Sequence, residues 1–299
     1  MPMNDQLYHP CQICPRRCGV NRHLGRTGYC RAPAQPQTAK FMTHRWEEPC
    51  ISGANGSDAV FFSHCNLNCV FCQNHQISQH GDGQAISETA LARAFLELQS
   101  LGTHNLNLVS PSPYLPSVVE SLRLARRDGL TIPVVYNTNA YELPESLSLL
   151  NGLVDIYLPD LKFFSPETSA KYCGASDYFE NAASAILTMF DQVGPTQIGP
   201  DGLMRRGLLI RHLVIPGLVD ESKRILDWIS RSLPPTVYLS LMAQYYPAYR
   251  ASEFPEINRR LTQAEYDEII DCFFEAGLKY GFMQELDSAT EDFTPKFGR

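Results

Sequence analysis

The stretch Ala59-Val-Phe-Phe-Ser63-His-Cys65-Asn-Leu-Asn-Cys69-Val-Phe-Cys72 governs how the rest of the chain is read. Its first half is a short apolar run, as expected of a buried strand. Its second half sets three cysteines at the spacing C-x3-C-x2-C in the loop that follows. Three thiolates suit three irons of a cubane and leave the fourth iron without a protein ligand. Such an open position is what chemistry at a metal requires, whereas a four-ligand site is closed. Phe71, just before the last cysteine, is placed to shield the cluster. The competing reading is zinc completed by His64 or His75, although zinc sites more often use paired C-x2-C knuckles.

Working outward from this loop, apolar runs alternate with helical periods. Ser87 caps a helix whose apolar face includes Leu91, Phe95 and Leu98. A strand over 105–110 follows, then a helix through Val118, Val119 and Leu122. Strands over 132–137, 154–158, 208–215 and 237–241 continue the alternation, with helices over 145–150, 178–193 and 221–233 between them. The last helix opens on a Thr262-x-x-Glu265 capping box. Six βα units predict an α/β fold, a partial (β/α)6 barrel of parallel strands. The chain therefore divides into a Cys-rich metal-binding N-terminal segment (1–58), the barrel (59–280) and a loosely ordered tail (281–299). Residues 11–50 show no sustained helical or strand period.

The length of 299 residues allows one large domain with a small appendage. With 25 basic and 32 acidic side chains the formal charge is −7, which disfavours a nucleic-acid partner. No apolar run reaches membrane-spanning length, and Met1–Pro10 lacks the apolar core of a secretory signal. The expectation is a cytoplasmic protein with no membrane contact. Its ten cysteines are then read as metal ligands or reactive groups rather than disulfides. No P-loop, dinucleotide fingerprint or HExxH pair is present.

Cys11, Cys14, Cys18 and Cys30 form a second group, enough for a closed site holding either an Fe–S cluster or structural zinc. Spacing does not choose between them. Arg16, Arg17, Arg22, Arg26 and Arg31 surround these cysteines and would offset the negative charge of four thiolates.

The C-x3-C-x2-C motif, with its aromatic before the last cysteine and its place after a first strand, resembles the signature of the radical S-adenosylmethionine (SAM) superfamily. The stretches 61–74, 105–111, 136–141 and 210–217 resemble, in their order, a branch of homologues of the pyruvate formate-lyase activating enzyme. The resemblance covers nearly the whole chain. It implies that SAM chelates the open iron of a 4Fe–4S cluster on Cys65, Cys69 and Cys72. One electron then cleaves a carbon–sulfur bond, and the resulting 5′-deoxyadenosyl radical abstracts hydrogen. It also implies an electron donor of the flavodoxin or ferredoxin kind.

Site residues follow by position. Ser110-Pro-Ser112-Pro stands where activating enzymes carry Gly-Gly-Glu-Pro, so Ser110 and Ser112 would meet the SAM amino group without the usual carboxylate. Asn137-Thr138-Asn and Asp160-Leu-Lys162 match segments that border SAM, and Arg211 matches a residue near the SAM carboxylate. Cys173 lies after the fourth strand and is a candidate radical or thiol group near the substrate. The resemblance is compatible with an activase that installs a glycyl radical on a protein, or with an enzyme for a peptide or small metabolite. A reading of another class is an Fe–S electron carrier or metal-stabilised binding protein. Six βα units are more scaffold than a carrier needs.

Overall fold

The computed structural model describes residues 7–290 and 295–297. Residues 291–294 and 298–299, part of the tail expected to be loosely ordered, lie outside the described residues.

The N-terminal part supplies β1 (Gln37–His44) and α1 (Pro49–Ser52), the latter with a proline in its first turn. Next come β2 (Ser57–Phe62), buried at every position, α2 (His75–Ser78) and β3 (Gln84–Ala85). Helix α3 (Glu88–Gln99) starts where expected, the Ser87 hydroxyl accepting the Ala90 N–H at 3.3 Å. The alternation continues through β4 (Leu106–Val109), α4 (Leu115–Arg127), β5 (Val134–Thr138), α5 (Pro144–Leu147) and β6 (Ile156–Pro159). Helices α6 (Pro166–Cys173) and α7 (Tyr178–Val193) precede β7 (Gln197–Ile198) and β8 (Met204–Leu213). Then come α8 (Val219–Ser232), β9 (Tyr238–Met242), α9 (Gln263–Glu275) and β10 (Tyr280–Met283). The Thr262–Glu265 capping box has both of its hydrogen bonds.

Among the described residues these strands form one sheet in the order β10-β9-β8-β6-β5-β4-β2-β1-β3, with β7 beside β8. Every pairing from β2 through β10 along this path is parallel. The expected partial barrel of parallel strands is the observed one. It gains a further parallel strand, β10, most of which lies in the tail expected to be loosely ordered; backbone pairing with β9 orders it.

One expectation fails. Residues 37–44 read as irregular, yet they form β1, antiparallel to β2. Only Thr38 and His44 of this strand are fully buried, so no apolar alternation marks it; backbone pairing holds it. Helix α6 also has no counterpart among the expected helices.

Successive strand residues face opposite sides. Val60, Phe62, Leu108, Tyr136, Tyr157 and Ile210 pack with the helices. Val135, Ile156, Leu158 and Leu209 face the bore, where Cys50 and Ile51 of α1 join them. Helix α1 thereby plugs the end at which the strands begin; the Ile51 carbonyl accepts from Asn105 Nδ2 at 2.7 Å, just before β4. No described helix is long and apolar enough to cross a membrane.

Candidate active site

The cysteine loop leaves β2 through His64, whose positive φ of 70° turns the chain out of the strand. Backbone bonds pin the loop to α6: Asn68 N donates to the Cys173 carbonyl at 3.0 Å and Val70 N to the Tyr172 carbonyl at 2.9 Å. Arg250 N donates to the Val70 carbonyl at 2.8 Å. Phe71 is buried against Phe163 and Tyr245, which anchors the loop between Cys69 and Cys72.

Each of the three thiols has a polar partner of its own. Cys65 Sγ accepts from Leu67 N at 3.4 Å and from Asn139 Nδ2 at 3.2 Å. Cys72 Sγ lies 3.1 Å from the Ser78 hydroxyl. Cys69 is partnered by the buried Cys173 thiol, which itself donates to the Ser169 carbonyl at 3.1 Å. Burial, then the neighbouring Cys69, pushes Cys65 up to about 12 and Cys72 up to about 11. The Cys173 contact, then burial, pushes Cys69 well above the ordinary thiol range. The three thiols lie close enough for Cys69 to act on the charge of both Cys65 and Cys72, and an iron centre there would bind them as thiolates. A cubane takes one thiolate on each iron.

Below the loop the bore holds a charged layer. Arg211 of β8 donates from Nε to Asp160 Oδ1 at 2.8 Å, from Nη2 to Asn137 Oδ1 at 2.7 Å and from Nη1 to Glu47 Oε2 at 3.0 Å. Lys162 Nζ donates to Asp160 Oδ2 at 2.7 Å, and Asn107 Nδ2 to Glu47 Oε1 at 3.0 Å. Burial works against the Asp160 charge, but Arg211 and Lys162 outweigh it and hold the carboxyl below its usual range. Glu47 and its neighbour Glu48 are held above theirs, burial outweighing Arg211. Glu47, in the β1–α1 connection, had no signal in the sequence.

Asn137, Asp160, Lys162 and Arg211 thus meet in one network, as strand ends at one rim should. Ser112 and Thr138 do not join it. Thr138 follows Asn137 in β5 and so points to the helix side, where its hydroxyl donates to Glu142 Oε1 at 2.7 Å. Ser112 also bonds to Glu142, and Tyr136 donates to it at 3.2 Å. Ser110, with a positive φ of 57°, joins the rim through its N–H to the Asn137 carbonyl at 2.9 Å.

The four N-terminal cysteines line one cavity together with Arg16, Arg17, Arg22 and Asn66. Arg26 and Arg31 are not in its wall. Tyr29 N donates to Cys18 Sγ at 3.3 Å, and a Cβ on Gly28 would lie 2.6 Å from that sulfur. Burial pushes Cys14 up to about 12 and raises Cys30 as well. Cys50 lies at the plugged end of the bore, clustered with Val135, Ile156 and Leu209.

The family model of the radical SAM superfamily matches residues 59–229. An uncharacterised protein of Methanocaldococcus jannaschii is 33% identical over 274 residues, covering 89% of this chain and 74% of that protein. SuiB of Streptococcus suis, solved with its precursor peptide SuiA, superposes with a TM-score of 0.52 at 13% identity over 75% of this chain. The chain spans about half of SuiB's length, 48% of it. Methylornithine synthase (PylB) superposes with a TM-score of 0.50 at 11% identity, over 73% of this chain and 68% of that one. These two likenesses concern the fold. The match over the strands and the cysteine loop concerns the family: this chain belongs to the radical SAM superfamily.

Proposed function

We propose that the chain cleaves SAM reductively at a 4Fe–4S cluster held by Cys65, Cys69 and Cys72. The observation that carries this reading is three individually partnered thiols, Cys69 buried and Cys65 and Cys72 half-buried, set above the Arg211 layer. When bound, cluster and SAM together supply one-electron cleavage of a carbon–sulfur bond, giving methionine and a 5′-deoxyadenosyl radical for hydrogen abstraction. The chain's part is to bind and orient. Arg211, fixed by Asp160, Asn137 and Glu47, keeps further N–H groups for a carboxylate. Lys162 and Asp160 border the same space, and Phe71 with Tyr245 keeps water from one side of the loop.

Hydrogen abstraction from a glycine of a partner protein is the reading supported by the resemblance to activating enzymes. A peptide or small metabolite is the second reading. It is favoured by the Ser110-Pro-Ser112-Pro departure and by Glu142 occupying Ser112. The N-terminal cysteines form a second metal centre in this proposal. Four thiolates lining one cavity with arginines beside them suit either a closed cluster or structural zinc. A flavodoxin- or ferredoxin-type donor and a cytoplasmic setting complete the proposal, since reduced thiols and a reductant are both needed.

The test is anaerobic reconstitution with iron and sulfide, reduction, addition of SAM and assay of 5′-deoxyadenosine. Fully loaded chain that yields none under several reductants would leave the electron-carrier reading in its place.

A further inference from the structure

Asn66 belongs to both cysteine groups. It follows Cys65 in the chain, is 1% exposed, and forms part of the wall of the cavity that Cys11, Cys14, Cys18 and Cys30 line. Its backbone carbonyl accepts from Arg16 Nε at 2.9 Å, and that guanidinium lies between the rings of Tyr29 and Tyr141. Its side chain donates to the Tyr141 carbonyl at 2.7 Å and accepts from Asn139 Nδ2 at 2.8 Å. The same Asn139 nitrogen reaches Cys65 Sγ at 3.2 Å.

The orientation of the Asn139 amide is fixed from the other side. Its Oδ1 accepts the Tyr141 N–H at 2.9 Å, so the nitrogen must face the sulfur and the Asn66 oxygen. Turned over, it would set oxygen against oxygen and strand a buried N–H. Its two hydrogens therefore serve two partners, one on each side of the boundary between the cysteine groups.

We propose that Asn139 is the positioning residue that couples the two groups, donating to Cys65 while it holds Asn66 in the wall of the N-terminal cavity. This rests on reading both groups as metal centres. An N–H donor to a ligand sulfur stabilises the more electron-rich, reduced cluster and so raises its potential. Metal on the N-terminal thiolates fixes the cavity wall, Asn66 with it, and through Asn66 the direction of the Asn139 donor. Loss of that metal loosens the donor, and the Cys65 cluster becomes harder to reduce.

The experiment is an EPR-monitored redox titration of the full chain, reconstituted without oxygen, following the cluster signal that changes when SAM is added. With iron at Cys65, Cys69 and Cys72 unchanged, Asn139→Ala and the isosteric Asn139→Asp should both shift reduction to more negative potential. Cys14→Ser, its N-terminal metal lost by metal analysis, should shift it the same way, and add little in the Asn139→Ala background. Should Asn139→Ala fail to fold, Asn139→Asp carries the comparison alone. An unchanged potential and line shape in a fully loaded Asn139 variant overturns the coupling. So does a Cys14→Ser shift that persists undiminished beside Asn139→Ala. A wild-type chain with no SAM-responsive signal overturns the functional reading and the coupling together; the signal without an Asn139 effect overturns the coupling alone.

Discussion

Arg211 and Glu47, 164 residues apart in sequence, meet 3.0 Å apart in the bore, and both are largely shielded from water. Removing Glu47 leaves Arg211 its Asp160 partner but strips an acceptor from Arg211 and from the Asn107 and Asn137 amides, which costs about 1–3 kcal/mol. Glu47→Ala should therefore destabilise the chain by about that amount, read as a lower urea midpoint. Glu47→Gln keeps the Asn107 contact and should cost less. It should also weaken SAM binding, because Arg211 then leans toward Asp160. An equal midpoint for Glu47→Ala and wild type would remove the bore layer from the account.

Cleavage should depend on one cysteine group and not the other. Cys69→Ala should yield no 5′-deoxyadenosine above the background of chain without iron. Cys14→Ala should still yield it, at a lower rate. Product formation is read by chromatography after single-turnover reduction. Equal loss in both variants would mean that the N-terminal group is needed for the chemistry itself.

Gly28 offers a way to disturb the N-terminal centre without touching a ligand. A Cβ there would sit 2.6 Å from both Cβ and Sγ of Cys18, closer than side chains approach. Gly28→Ala should push Cys18 aside and release the N-terminal metal, while iron bound at Cys65, Cys69 and Cys72 stays. Metal analysis against protein concentration checks it, and retention of full metal content would contradict it.

His212 makes stability depend on pH. Its ring is 1% exposed, bonded to the Leu161 carbonyl at 2.7 Å and the Ser222 hydroxyl at 2.8 Å. Nδ1 must be the donor to that carbonyl, and in the neutral ring that burial favours Nε2 accepts from the hydroxyl. Burial pushes its pKa down to about 4. The unfolded chain, with an ordinary histidine, binds the proton first as pH falls. Stability from this group is thus complete above about pH 6.5 and declines toward pH 4, by roughly 3 kcal/mol in all. Urea midpoints of wild type and His212→Gln across that range should differ in slope, wild type falling more steeply in acid. Parallel slopes would contradict the assignment.

The parallel strands and the cysteine loop were legible because their signals are local: apolar runs of strand length, and a spacing that has meaning by itself. Asn137, Asp160, Lys162 and Arg211 were legible because a βα barrel gathers strand ends at one rim. Ser112 and Thr138 lie near the same rim, but nearness says nothing of the side to which a side chain points, and Glu142 bonds both. Glu47 was not legible at all. It stands outside any period, and its partners come from β4, β5 and β8, so only the folded chain brings them to it. Strand β1 escaped notice for the related reason that backbone pairing, not side-chain pattern, holds it in place.

The plug that closes the bore also sets a timetable for synthesis. Glu47, Glu48 and α1 leave the ribosome well before the guanidinium they await, which arrives only with β8, 164 residues after Glu47. Until then two acidic side chains and an apolar turn have no finished chamber to enter, and long-range closure comes last. A nascent chain halted before β8 would carry an unclosed vessel, open to proteases and aggregation at the end that the mature enzyme keeps sealed.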